Sequence, residues 1–132
     1  GKLLTNGLAG RHNVLNATAA ISAAKCVSSL NNLESSIANF TGIKRRFEKI
    51  YESAQHVYID DYAHHPTEIK MAIAAAKELY PSKELTVIFQ PHLFSRTRDF
   101  MEGFVSVLKQ FDEVLLLEIY PARELPIEGV SS

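Results

Sequence analysis

The chain has 132 residues, 46% of them hydrophobic and 22% charged, with a formal net charge of −1. That length suits one domain, or one domain with part of another, and the balance excludes a disordered chain and a strongly basic nucleic-acid binder. A single cysteine, Cys26, excludes an internal disulfide and fits a reducing, cytoplasmic setting; no apolar run is long enough to cross a bilayer and no signal peptide is visible.

Residues 14–28 read as a helix, rich in alanine with Leu15 and Ile21 among its apolar positions, and Asn13 stands where a cap is expected. Cys26 lies inside this stretch and reads as a buried, inert thiol. A second helix is expected from about Leu33 to Phe40, ended by Gly42. The pattern then changes, which places an expected boundary near Gly42, with residues 1–42 on one side and 43–132 on the other.

Val57-Tyr58-Ile59 reads as a short strand. Pro66 suits the first turn of a helix, and Ile69, Ala72, Ile73, Ala76 and Leu79 follow at helical spacing up to Pro81. Leu85–Phe89 is the next strand, and a helix is expected from about Arg98 to Gln110, with the Phe100/Phe104 stripe turned to the core. Val114–Leu117 is the third strand. The order strand–helix–strand–helix–strand predicts an α/β fold with a mostly parallel sheet flanked by helices, preceded by a helical segment. Because the chain stops at Val130-Ser131-Ser132 with no helix after the last strand, the α/β unit reads as unfinished.

Polar residues gather after each strand. The first is followed by Asp60-Asp61-Tyr62-Ala63-His64-His65-Pro66, the second by Gln90-Pro91-His92 with Arg96 and Arg98, and the third by Glu118-Ile119-Tyr120-Pro121-Ala122-Arg123-Glu124. In an open parallel sheet the carboxyl ends of the strands are where ligands bind. Plainer readings stand beside this one. His65 can be an extended residue before a proline, Asp60 and Asp61 can favour a helix dipole, and Arg45 and Arg46 can be solvated charges. Asn13 and Asn16 share a helix face and can meet an adenine edge, but an asparagine there is also an ordinary cap.

Gly10-Arg11-His12-Asn13-Val14-Leu15-Asn16-Ala17, Gly42-Ile43-Lys44-Arg45-Arg46-Phe47-Glu48, Asp60 through Glu68, Gln90 through Asp99, and Tyr120 through Glu124 with Pro126-Ile127 resemble, in this order, motifs of the Mur ligase family. The resemblance runs from about residue 8 to the end. It implies a chain made of the tail of a central ATP-binding domain (1–42) and most of a Rossmann-like C-terminal domain (43–132). Neither the Gly-rich phosphate loop of the central domain nor the family's N-terminal domain is present.

The activity so implied is ATP-dependent ligation of L-alanine to UDP-N-acetylmuramate, a step in making cell-wall peptidoglycan. ATP converts the muramate carboxylate to an acyl phosphate, and the alanine amine displaces phosphate; this chain alone is expected to be inactive. Carried over by position, Asn13 and Asn16 contact adenine, Arg46 the nucleotide phosphates and Asp61 the ribose side. Tyr62, His64, His92 and Arg96 shape the alanine site, with Arg96 suited to the alanine carboxylate and His64 and His92 the candidates for proton removal from the amine. Mg2+ is expected to be held mainly by central-domain residues outside this chain, and no metal ligands are assigned here. Leu93 stands where many relatives place arginine, so any contact from that arginine is lost. Two other readings remain: a ligase that attaches an intact tripeptide to the same sugar nucleotide, and, from another class, a metal-dependent phosphohydrolase using Asp60, Asp61, His64, His65 and His92. A non-catalytic nucleotide-binding module is a third. Helices cut off from a missing domain expose apolar surface, so self-association is expected; no nucleic acid and no membrane insertion is.

Overall fold

The first helix starts earlier than its capping pattern suggests. In the computed structural model, which describes residues 10–27 and 33–132, α1 spans Arg11–Val27. Gly10 takes φ +90°, open to a residue without Cβ, and its carbonyl accepts from the Asn13 N–H at 3.0 Å. Asn13 is therefore inside the first turn rather than the cap. None of the α1 side chains is buried. Thr18, Ser22 and Cys26, spaced four apart, each bond back to the carbonyl four residues earlier, at 2.8, 2.9 and 3.3 Å. Cys26 is thus exposed rather than buried, because the helix face that carries it packs on nothing described.

α2 covers Leu33–Ala38, and the chain turns at Gly42, φ +99°. The strand expected at Val57 is β2, Val57–Asp60, but it pairs antiparallel with a strand that sequence reading did not resolve, β1, Glu48–Glu52. The reason lies in the connection. Only Ser53–His56 joins them, too short for a crossover, so a hairpin is the accessible link. Ser53 and His56 close it, with the Ser53 N–H on the His56 carbonyl at 2.8 Å and the His56 N–H on Ser53 Oγ at 2.9 Å. The described residues divide into two units after Tyr62, and the hairpin belongs to the first.

The second unit carries the parallel pairing that the sequence predicts. α3 (Pro66–Leu79) leads to β3 (Thr86–Phe89), then α4 (Phe94–Asp99), α5 (Met101–Leu108) and β4 (Glu113–Leu116). β3 and β4 run parallel, Thr86 opposite Glu113 through Phe89 opposite Leu116, and an isolated bridge between His92 and Tyr120 prolongs the pairing. The helix expected from Arg98 begins at Phe94 and is two helices, broken at Phe100, whose φ −116°, ψ 19° is not helical.

Ile69 and Ile73 of α3, Phe89 of β3, and Phe104, Val107 and Leu108 of α5 form the core, with Val87 and Val114 packed on it. Phe89 and Phe104 lie with ring centres 5.4 Å apart. Each such side chain is worth roughly 1.5–3 kcal/mol when buried, so these contacts fix the strand ends where the polar clusters begin. Of the expected aromatic stripe only Phe104 is core; Phe100 is 42% exposed, since the helix break rotates it away, and its ring meets His65 edge-on at 4.6 Å.

Candidate functional site

Beyond Phe89 the chain leaves β3 through Gln90-Pro91-His92. Its backbone stays locked to the loop after β4: the Tyr120 N–H donates to the Pro91 carbonyl at 2.8 Å, and the Leu93 N–H to the Tyr120 carbonyl at 2.9 Å. The His92 ring stacks on Tyr120, 5.4 Å between centres and 23° between planes. Leu93 then adopts φ +75°, ψ 133°, a conformation that costs a bulky residue roughly 1–3 kcal/mol. Its carbonyl accepts from the Thr97 N–H at 3.1 Å and from Thr97 Oγ1 at 2.9 Å. Thr97 is 3% exposed, so α4 is tied at its first turn to the strained residue before it.

This sharp entry turns Arg96 back over His92, with Nη1 3.4 Å from His92 Nδ1. A guanidinium only donates, so Nδ1 accepts and the imidazole proton sits on Nε2. Burial pushes the His92 pKa below 6.5, and the neighbouring charges of Arg96 and His64 push it the same way against a smaller opposite pull from Glu124. His92 is therefore neutral near pH 7. His64 lies 6.3 Å from His92, ring centre to ring centre. It is held from the α3 side: its N–H donates to Glu68 Oε2 at 2.9 Å and its Nδ1 lies 3.5 Å from the same oxygen. Two imidazoles and a guanidinium thus stand together, a set that suits a carboxylate and leaves His92 Nε2–H as a donor.

Leu93 offers no side-chain cap to α4. The carboxylate of Glu124, from the loop after β4, supplies it: Oε2 accepts from the Ser95 N–H at 2.9 Å and Oε1 from the Ser95 hydroxyl. The Ser95 hydroxyl bond, then the backbone bonds, hold the Glu124 carboxyl below the usual range, and Arg96 adds to this. Sequence reading placed Glu124 in a strand-end cluster without a role, and gave none to Ser95, Tyr120 or Glu68. His65, by contrast, takes its plainer reading. It is extended at φ −130°, ψ 144°, and its Nδ1 accepts from the Thr67 N–H at 3.2 Å as the α3 cap.

The first unit holds a second group. Arg45 and Phe47 both have positive φ, 58° and 52°. The turn is pinned by Asp61 Oδ2, which accepts from the Phe47 N–H at 2.7 Å, and by the Tyr62 N–H on the Arg45 carbonyl at 2.8 Å. The guanidinium carbons of Arg45 and Arg46 lie 4.9 and 5.6 Å from the centre of the Tyr62 ring, and Arg45 also reaches Asp60 at 3.6 Å. The turn thus gathers two guanidinium groups at one aromatic ring, with the carboxylates of Asp60 and Asp61 beside them. Asn13 and Asn16 lie on α1, the first half-buried and the second exposed. So His64, His92 and Arg96 are brought together in one unit, and Arg46, Asp61 and Tyr62 around one turn of the other. No group of three His, Cys, Asp or Glu side chains is gathered for a metal ion among the described residues.

The family model described as Mur ligase, glutamate ligase domain, matches residues 45–131. The UDP-N-acetylmuramate–L-alanine ligase of Cytophaga hutchinsonii is 55% identical over 124 residues, 93% of this chain and 27% of that protein. The crystal structure of a UDP-N-acetylmuramate-alanine ligase from Thermotoga maritima superposes with a TM-score of 0.74 at 34% identity, over 89% of this chain and 26% of that one. A murein peptide ligase from Psychrobacter arcticus shares the fold, with a TM-score of 0.58 at 23% identity over 88% of this chain and 31% of its own. The chain thus spans less than a third of the length of each of these relatives. With the match running from the Arg45 turn through the whole of the second unit but its last residue, the chain belongs to the Mur ligase family.

Proposed function

We propose that this chain is part of a cytoplasmic, ATP-dependent ligase that joins L-alanine to UDP-N-acetylmuramate in peptidoglycan synthesis. Residues 1–42 would be the end of its central ATP-binding domain and 43–132 most of its C-terminal domain; a family match that starts at residue 45 supports that boundary. The observation that carries the reading is the Arg96–His92 pair beside His64. The Arg96 guanidinium suits the amino-acid carboxylate. With Arg96 drawn to that carboxylate, His92 Nδ1 is released to accept a proton from the amine, which a neutral imidazole does near pH 7. His64, tied to Glu68, is the other candidate for that proton. Tyr62 is assigned to the alanine by the family resemblance alone.

The nucleotide is assigned to the first unit. Arg46 on its strained turn suits phosphate oxygens, Asp61 the ribose side, and Asn13 and Asn16 the adenine edge. ATP activates the muramate carboxylate, a poor electrophile, as an acyl phosphate; the amine attacks, and phosphate leaves. Mg2+ is assigned mainly to central-domain residues outside this chain, as the family resemblance implies. The engagement of Asp61 and His65 with backbone N–H groups weighs against a metal-dependent phosphohydrolase.

The test uses the full-length parent. Phosphate release from ATP with UDP-N-acetylmuramate is followed with and without L-alanine, and again in Arg96→Ala. Alanine-dependent release that falls at least tenfold in the variant, as loss of a carboxylate contact predicts, supports the reading. Release without alanine dependence sinks it, and release driven by a tripeptide turns it into the recycling ligase.

A further inference from the structure

The geometry points to Glu124 as the positioning residue of the amino-acid site: through Ser95 it holds the first turn of α4, and with it Arg96, over His92. The inference rests on the alanine-site reading above. Its ground is a division of labour across the two parallel strands. Arg96 belongs to a helix of six residues, Phe94–Asp99, whose own entry residue, Leu93, has no capping side chain and a strained backbone. So short a helix has little hold on its own orientation. Its first turn is held from outside, by a carboxylate that takes both the N–H and the hydroxyl of Ser95. That carboxylate comes from the loop after β4, which also supplies Tyr120 to stack on the His92 ring. One loop thus sets both partners of the Arg96–His92 pair, the helix through Glu124 and the imidazole through Tyr120.

Glu124 is close enough for its charge to act on both partners, since Arg96 lowers its pKa and Glu124 in turn raises that of His92. Yet the carboxylate is spent on Ser95 rather than on Arg96. Were Glu124 free, it would compete with the substrate carboxylate for the guanidinium. Bound to Ser95, it lends its charge to keeping Arg96 in place and leaves the fork open to a ligand.

In the full-length parent, Glu124→Ala should raise the KM for alanine on the order of tenfold, within the range that small misplacements cost. The KM for ATP and for UDP-N-acetylmuramate should stay within about twofold. Glu124→Gln keeps an oxygen for the Ser95 N–H and can donate its amide to the Ser95 hydroxyl, so it should recover most of the loss. An unchanged alanine KM in Glu124→Ala, or an equal rise for all three substrates, overturns the inference. If Glu124→Ala does not fold, Ser95→Ala, which removes only the hydroxyl contact, takes its place with a smaller rise in alanine KM expected and the same overturning results. Should the wild-type parent show no response to alanine, the functional reading fails, and positioning is judged by the His92 imidazole titration followed by NMR. Both Glu124 variants lose the carboxylate charge, but only the alanine variant releases Arg96. His92 must therefore titrate at higher pH in Glu124→Ala than in Glu124→Gln, and equal values overturn the inference on their own.

Discussion

Gly103 of α5 lies against Pro66 of α3 so closely that a Cβ on Gly103 would stand 3.0 Å from Pro66 Cγ and 3.3 Å from Pro66 Cβ. Pro66 opens the helix that immediately follows His64 and His65, so the missing side chain lets α5 approach the start of α3 and seats the histidine loop.

Glycine inside a helix ordinarily costs about 0.5–1 kcal/mol against alanine. Here that gain should vanish, because the new methyl meets a proline ring with little room to give. Gly103→Ala is expected to be no more stable than the wild type, and Gly103→Val less stable by about 1–3 kcal/mol through overpacking. Urea unfolding midpoints check this. An alanine variant stabilised by the ordinary helix increment would show that Pro66 yields freely.

The His92–Arg96 contact has a pH signature. His92 has a pKa below 6.5 in the folded chain, through burial first and the Arg96 charge second. Between that value and about 6.5 the unfolded chain binds more protons, so stability rises with pH there. The His92 contribution is fully present above about pH 6.5 and is lost as pH falls toward the folded value. Arg96→Ala removes one of the two leading causes and should raise the His92 pKa toward 6.5, which NMR titration of the imidazole reads directly. A His92 titration unchanged in the variant would mean the guanidinium does not act on the ring.

His92 and Arg96 were legible because they follow the carboxyl end of β3, which runs parallel to β4; His64 follows β2, which pairs antiparallel with β1 instead, and it reaches His92 from the segment that leads into α3. α3 was legible for a similar reason, with Pro66 at its start and Ile69 and Ile73 at helical spacing. What escaped depends on partners distant in the chain. The start of α4 carries no capping residue of its own, since its cap, Glu124, lies 29 residues beyond Ser95; the helix was therefore expected to begin at Arg98 rather than Phe94. β1 is exposed over most of its length, so Glu48-Lys49-Ile50-Tyr51-Glu52 shows no clean buried alternation. Without it, β2 had no visible antiparallel mate. Cys26 looked buried because alanine-rich helices usually pack, and whether α1 packs depends on surfaces that a local pattern does not contain.

Leu93 should reverse a familiar order of stabilities. At φ +75° a residue with Cβ is strained, whereas glycine is not. Alanine and glycine both lose the leucine side chain, but only glycine also sheds the strain. Leu93→Gly is therefore expected to be about 1 kcal/mol more stable than Leu93→Ala, measured by thermal unfolding. Alanine as the more stable of the two would place the backbone elsewhere.

The last prediction concerns α1. It buries no side chain, and near its start it presents the adjacent Val14 and Leu15 (61% exposed) to solvent. Covering one such side chain is worth roughly 1.5–3 kcal/mol, so two copies of this chain gain by pressing their α1 faces together. The isolated chain should associate with rising concentration in light scattering, and a Val14→Lys, Leu15→Lys double variant should not. If residues 1–42 close a central domain in the parent, the same face is covered there, and the full-length protein should not associate through it. A wild-type chain that stays monomeric at high concentration would sink the first expectation; a parent that associates and is made monomeric by the same two lysines would sink the second.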